Sequence, residues 1–183
     1  MKKKTLAERV KKAKEEYLKP HKDPEIILSM INECLKLNKI DGNAYKISPK
    51  EINYSDICNK NKTNGEGHII WVQFVKGGHV AVVGAGKDIG FPKGKRGTWS
   101  IIKDVDGVQW ETSEVIIVPI RGLDAGSVGI KNVDNVLKCR NGVEHCIGDY
   151  LIDNGVPILN FYQHKNYSDD FWLKCKKQCY KIK

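Results

Sequence analysis

Residues 67–86 read GHIIWVQFVKGGHVAVVGAG. β-Branched and aromatic side chains crowd two runs, Ile69–Val75 and His79–Val83, on either side of Lys76-Gly77-Gly78. Such side chains suit a pleated, buried surface, and paired glycines supply the positive φ that a tight reversal needs. The stretch therefore predicts a β-hairpin at the centre of the fold. His79 opens the second arm, a titratable ring at the mouth of an otherwise apolar strand. A catalytic base can sit at such a place, and so can an ordinary strand-end residue.

Towards the N-terminus the period changes from two to 3.6. Leu6, Val10, Ala13, Tyr17 and Leu18 fall roughly on one face of a helix over Thr5–Lys19, with Thr5 and Glu8 spaced as a capping box and Pro20 ending it. Asp23-Pro24 starts a second helix with Ile27, Met30, Ile31, Cys34, Leu35 and Leu37 as its apolar stripe, closed by Asp41-Gly42. Residues 1–42 are thus expected to form a helical segment packed on a core of residues 43–183. That core would start with a short strand at Ala44–Ile47, a loop or short helix at Pro49–Cys58 and a polar loop up to residue 67.

Beyond the hairpin, Thr98–Lys103 and Val108–Glu111 alternate about Asp104-Val105-Asp106-Gly107, which predicts a second hairpin. Glu114–Ile120 is apolar at nearly every position and reads as a central strand. Val133–Arg140 and Val143–Asp153 read as two helices parted by Asn141-Gly142. A last strand at Val156–Tyr162 and an amphipathic helix at Asp169–Tyr180 complete the chain. The expected class is α+β: an antiparallel sheet of five to six strands, two N-terminal helices and further C-terminal helices, forming one structural unit.

Composition narrows the function. A chain of 183 residues with 40% hydrophobic and 29% charged residues can bury a core of ordinary size. No apolar run approaches the ~20 residues that span a bilayer, and the N-terminal lysines are not followed by the apolar stretch of a signal peptide. A cytoplasmic protein without a transmembrane segment is the expectation. Thirty-one Lys and Arg against 22 Asp and Glu leave a formal charge of +9, which suits an acidic partner. The basic residues gather at Lys2–Lys4, Lys11–Lys14, Lys93–Arg96 and Lys174–Lys177. Trp71, Trp99, Trp110 and Trp172 either stack bases beside Lys93–Arg96 or fill a core.

Six cysteines stand at 34, 58, 139, 146, 175 and 179, and in a cytoplasmic chain they read as thiols, metal ligands or a nucleophile rather than as disulfides. Cys175-x3-Cys179 approaches the spacing of a structural zinc pair, whereas Cys139-x6-Cys146 does not. No cofactor and no metal site is predicted. The segment GFPKGK, residues 90–95, looks like the opening of a Nudix box, but the residues that follow lack the clustered carboxylates that hold the family's magnesium.

A second resemblance has two parts in the right order. The hairpin, with a histidine starting its second strand, is similar to the strand pair of lecithin retinol acyltransferase-like proteins and their NlpC-type peptidase relatives. NGVEHCIGDYLIDNG, residues 141–155, resembles that family's Asn-Cys-Glu-His-Phe helix, with Asn141, Glu144, His145 and Gly155 on the pattern. The two matches together span about half of the chain. The resemblance implies a permuted papain-like fold and thiol-dependent hydrolysis or acyl transfer on an acyl or peptide-like substrate. His79 would be the base, and the thiol would gain acidity at a helix N-terminus. Val143 occupies the family's nucleophile position, so Cys146 and Cys139 are the nearest thiols, and Asp88 is the nearest polar residue for the third place. The alternative is a non-enzymatic basic module that binds nucleic acid or another polyanion through Lys93, Lys95 and Arg96. The two readings part on whether a cysteine sulfur reaches the His79 ring.

Overall fold

The computed structural model describes residues 5–38, 40, 42–48, 69–86, 96–119 and 133–160, the side chains of 86, 96, 97 and 133–142 apart. The elements, in chain order, are α1 (Leu6–Tyr17), α2 (Pro24–Leu37), β1 (Tyr45–Ile47), β2 (Ile69–Phe74), β3 (Val80–Gly86), α3 (Arg96–Ile102), β4 (Val115–Pro119) and α4 (Val133–Asp153). The expected class, α+β with an antiparallel sheet and two N-terminal helices, is the one observed. The strand count is not: the described residues form four strands, ordered β1-β4-β2-β3, rather than five or six.

The central hairpin forms as its residues dictate. β2 and β3 pair antiparallel with Val72 opposite Val83. The reversal is closed by Gly78 N–H donating to the Val75 carbonyl at 3.0 Å and Val75 N–H to the His79 carbonyl at 2.9 Å. Gly77 and Gly78 hold φ of +94° and +98°, conformations that cost an L-residue with a side chain. A register shift between Gln73 and Phe74 sets Phe74 opposite Val80 and Gln73 opposite Val82. The extra residue in β3 changes which face its side chains serve. Val80 and Val83 join one core cluster, while Ala81 and Val82 join another.

β2 and β4 are buried at every position, so helices or other chain must cover both faces of the sheet. On one side α2 and α4 pack over Ile70, Val72, Phe74, Ile116 and Val118 through Ile27, Ile31, Leu35, Ile147 and Leu151. On the other, α1 and α3 meet Val75, Ala81 and Val82 through Ala13, Ile101 and Ile102. The capping box at Thr5 and Glu8 and the Asp23 cap with Pro24 stand where the sequence puts them. Residues 158–160 return beside β3: Val80 and Ile158 form a parallel bridge, and Leu159 and Asn160 donate N–H bonds to the Val80 and Ala81 carbonyls. Of the expected strand Val156–Tyr162, this bridge is what the described residues contain.

Two elements correct the sequence reading. Thr98–Lys103 is not a hairpin arm; Arg96–Ile102 is helical, and the chain turns at Gly107 with φ +75° before Trp110 bridges Val75. The buried residues Thr98, Ile101, Ile102 and Val105 recur at helical spacing, and it is this stripe that docks. Val133–Asp153 is one helix, not two parted at Asn141-Gly142. Burying Val143, Cys146, Ile147 and Leu151 outweighs the ~1 kcal/mol that an internal glycine costs a helix. The predicted segments at Pro49–Cys58 and Asp169–Tyr180 lie outside the described residues.

Candidate functional site

His79 sits immediately before β3 and is 8% exposed. Its Nε2 lies 3.0 Å from the Lys19 carbonyl, in the turn between α1 and α2. The rings of Tyr17 and His21 flank it, with centroids at 4.7 and 4.5 Å. Desolvation pushes its pKa below the ordinary histidine value, the Lys19 carbonyl opposes that shift, and the neighbouring His21 imidazole reinforces it. The imidazole is therefore neutral at neutral pH, and its hydrogen-bond partner is a backbone carbonyl.

Cys146 is buried in the fourth turn of α4, and Cys139 stands in the second turn of the same helix. The Cys146 Sγ is 3.9 Å from that of Cys34 on α2, and the Cys34 thiol lies 3.7 Å from the Cys146 carbonyl. The helix N-terminus expected near Val143 is ten residues upstream, at Val133, because α4 is continuous. Neither Val143 nor Cys146 therefore receives the acidifying end of the helix dipole, which fades within the first turn. Val143 and Cys146 do share a core cluster with Val80, the residue after His79. His145, on the family pattern, pairs instead with Asp149 at 2.6 Å along the helix surface. Asp88, Lys93 and Lys95 lie outside the described residues, as do Cys58, Cys175 and Cys179. Arg96 is the first residue of α3.

A cleft of about 320 Å³ opens beside the hairpin turn, lined by His21, Asp23, Glu111 and Glu114 together with Phe74 and Gly78. Its carboxylates make it unsuited to an anion. Glu111 is held below the usual carboxylate range by the Ser113 hydroxyl and backbone N–H that it accepts from. Among the described residues, no three His, Cys, Asp or Glu side chains are arranged to hold a metal ion. The helix that follows GFPKGK, with sequence RGTWSII, carries no carboxylate.

The opposite side of the sheet has a different character. α1 packs against α3, and a groove lined by Leu6, Ala7, Val10, Lys11, Lys14 and Asp104 runs between α1 and the turn after α3. Lys11, Lys12 and Lys14 are exposed, and Lys14 pairs with Asp106 at 3.1 Å. Of the tryptophans described, Trp71 and Trp110 are 5% and 8% exposed, but Trp99 on α3 is 44% exposed. Trp99 stacks on Trp110, with centroids 6.3 Å apart and planes 19° from parallel. The Trp110 indole N–H is buried without a hydrogen-bond partner, a cost of about 1–3 kcal/mol that packing must offset. Tryptophans as core was the right expectation for two of these three. Helical spacing at 98–105 was the signal that would have separated Trp99 from them.

Comparison with protein families, curated proteins and solved structures returns no match to this chain.

Proposed function

We propose that the chain is a non-enzymatic basic module that binds nucleic acid or another polyanion. One observation carries this reading: the lysines of α1 stay exposed on a helix that packs against α3, and the first residue of α3 is the last of the sequence cluster Lys93–Arg96. Lys11, Lys12 and Lys14 line the exposed side of α1, and the run Lys93-Gly94-Lys95-Arg96 leads into α3, against which α1 docks. Clustered like charges repel each other at a cost unless a counter-charge joins them, and a chain of phosphates supplies it. The cleft at the hairpin turn, where His21, Asp23, Glu111 and Glu114 meet, has a lining of the opposite sign.

The test is binding of a labelled oligonucleotide across a salt series. Affinity is expected to fall steeply as salt rises, and replacing Lys93, Lys95 and Arg96 by alanine to lower the slope by about 0.7 per lost single-strand phosphate contact. No binding at low salt would remove the proposal.

A thiol-dependent hydrolase or acyltransferase is the second reading. It is favoured by a buried, neutral imidazole next to Val80, which shares a core cluster with Val143 and Cys146. It is the weaker one because the His79 ring faces the Lys19 carbonyl while Cys146 faces Cys34.

A further inference from the structure

We infer that Trp99 is a stacking platform for an unpaired base, so that the polyanion bound is a single-stranded nucleic acid. The inference rests on the basic-module reading above and adds the class of ligand.

Isolated exposed hydrophobic residues are ordinary; Leu18 and Leu37, at 85% and 64% exposed, need no ligand to explain them. Trp99 differs in three respects. It is preordered, because the Trp110 ring lies near-parallel beside it in an offset stack, centroids 6.3 Å apart, while 44% of the residue stays open to solvent. Its support is rigid, because Trp110 is 8% exposed and bridges Val75 at the end of β2, and Ile101 and Ile102 on the same helix are fully buried. Its surroundings are cationic: exposed Lys103, whose N–H donates to the Trp99 carbonyl at 3.1 Å, stands in the turn that follows the helix, and exposed Lys11, Lys12 and Lys14 stand on α1, which packs against the same helix.

A flat π-surface held in place with lysines around it is the arrangement that binds single strands without reading sequence. The base stacks while the flanking phosphates meet the charges. Duplex DNA offers phosphates but keeps its bases stacked inside, and heparin offers anionic groups without bases. Both would use the lysines and leave the indole idle.

The experiment measures fluorescence anisotropy of labelled dT15, rU15, a duplex of equal length and heparin, each titrated directly, for the wild type, Trp99→Ala and Trp99→Phe. The platform predicts that Trp99→Ala weakens binding of both single strands by about 5- to 100-fold. It also predicts that Trp99→Phe recovers most of this loss and that neither change alters the binding of duplex or heparin measured directly. Thermal melting of each variant shows whether the fold is kept, which the exposure of residue 99 leads one to expect. If Trp99→Ala binds single strands as the wild type does, or loses duplex and heparin in proportion, the platform is refuted and the basic module stands. If the wild type binds none of the four at low salt, both fall.

Discussion

At the scale of single residues, burial sets what His79 contributes. Its ring is removed from water and lies 4.5 Å from a second imidazole, so its pKa is below the ordinary value of about 6.5. Between these two values the unfolded chain holds more protons than the folded one, and stability rises with pH across that window. The expectation is full stability above about pH 6.5, a decline as the pH falls to the depressed value and no further loss from this group below it. Urea unfolding at closely spaced pH values checks this, and His79→Gln should flatten the slope; an unchanged slope would assign it to other groups. The glycines give a second expectation. A Cβ at Gly84 would meet the Trp71 indole at 2.7 Å, whereas one at Gly77 would meet nothing within 4 Å and suffer only the positive φ. Gly84→Ala should cost about 1–3 kcal/mol by overpacking and Gly77→Ala about 1–2 kcal/mol by backbone strain, each read from a denaturant midpoint. The place of His79 at a strand mouth was legible in the sequence. Its partners were not, because Tyr17, Lys19 and His21 come from the end of α1 and the turn after it, some sixty residues earlier.

At the scale of elements, what could be read depended on which period a segment displayed. IIWVQF and VIIVP are apolar at almost every position and β-branched, and both are strands. Thr98–Val105 showed two periods at once. Alternation in Thr98–Lys103 ahead of the turn signal Asp104–Gly107 suggests a hairpin arm, and the stripe Thr98, Ile101, Ile102 and Val105 that is in fact buried marks a helix. In α4 the pair Asn141-Gly142 resembled a helix end, and only the packing of residues 143–151 on the sheet makes the helix continuous. That continuity bears on the thiols. Cys34 and Cys146, 0% and 7% exposed, face each other between α2 and α4, away from any helix N-terminus. Iodoacetamide at pH 7, followed cysteine by cysteine by mass spectrometry, is expected to leave both unmodified until denaturant is added. Rapid labelling of Cys146 or Cys139 in the native protein, slowed by His79→Ala, would instead put the thiol-hydrolase reading ahead of the basic module.

At the scale of the whole molecule, one side chain joins three distant parts of the chain. Asn160 Oδ1 accepts from Arg9 Nη2 on α1 at 2.9 Å, and its Nδ2 donates to Thr98 Oγ1 on α3 at 2.6 Å. Its own backbone N–H is bound to Ala81 of β3. The amide is 4% exposed, so its removal takes one hydrogen bond from the buried Thr98 hydroxyl and one from the Arg9 guanidinium. Asn160→Ala is expected to cost about 1–3 kcal/mol and to speed hydrogen exchange in α1 before it does so in β2. Loss spread evenly over the sheet would show that Asn160 is not what holds α1. No sequence pattern announces such a residue, because its partners stand 151 and 62 positions away and polarity alone marks Asn160 as a surface or turn residue.

That junction also imposes an order on birth. A ribosome adding about 5–20 residues per second needs roughly 8–30 s to travel from Arg9 to Asn160. Throughout that interval the first helix has been made while the amide that fastens it has not. Neither β3 nor α3, the surfaces against which it rests, is complete until about half of that interval has passed. The helix α1 is therefore made well before the amide that fastens it, and its exposed lysines meet the surroundings of translation before that contact can form.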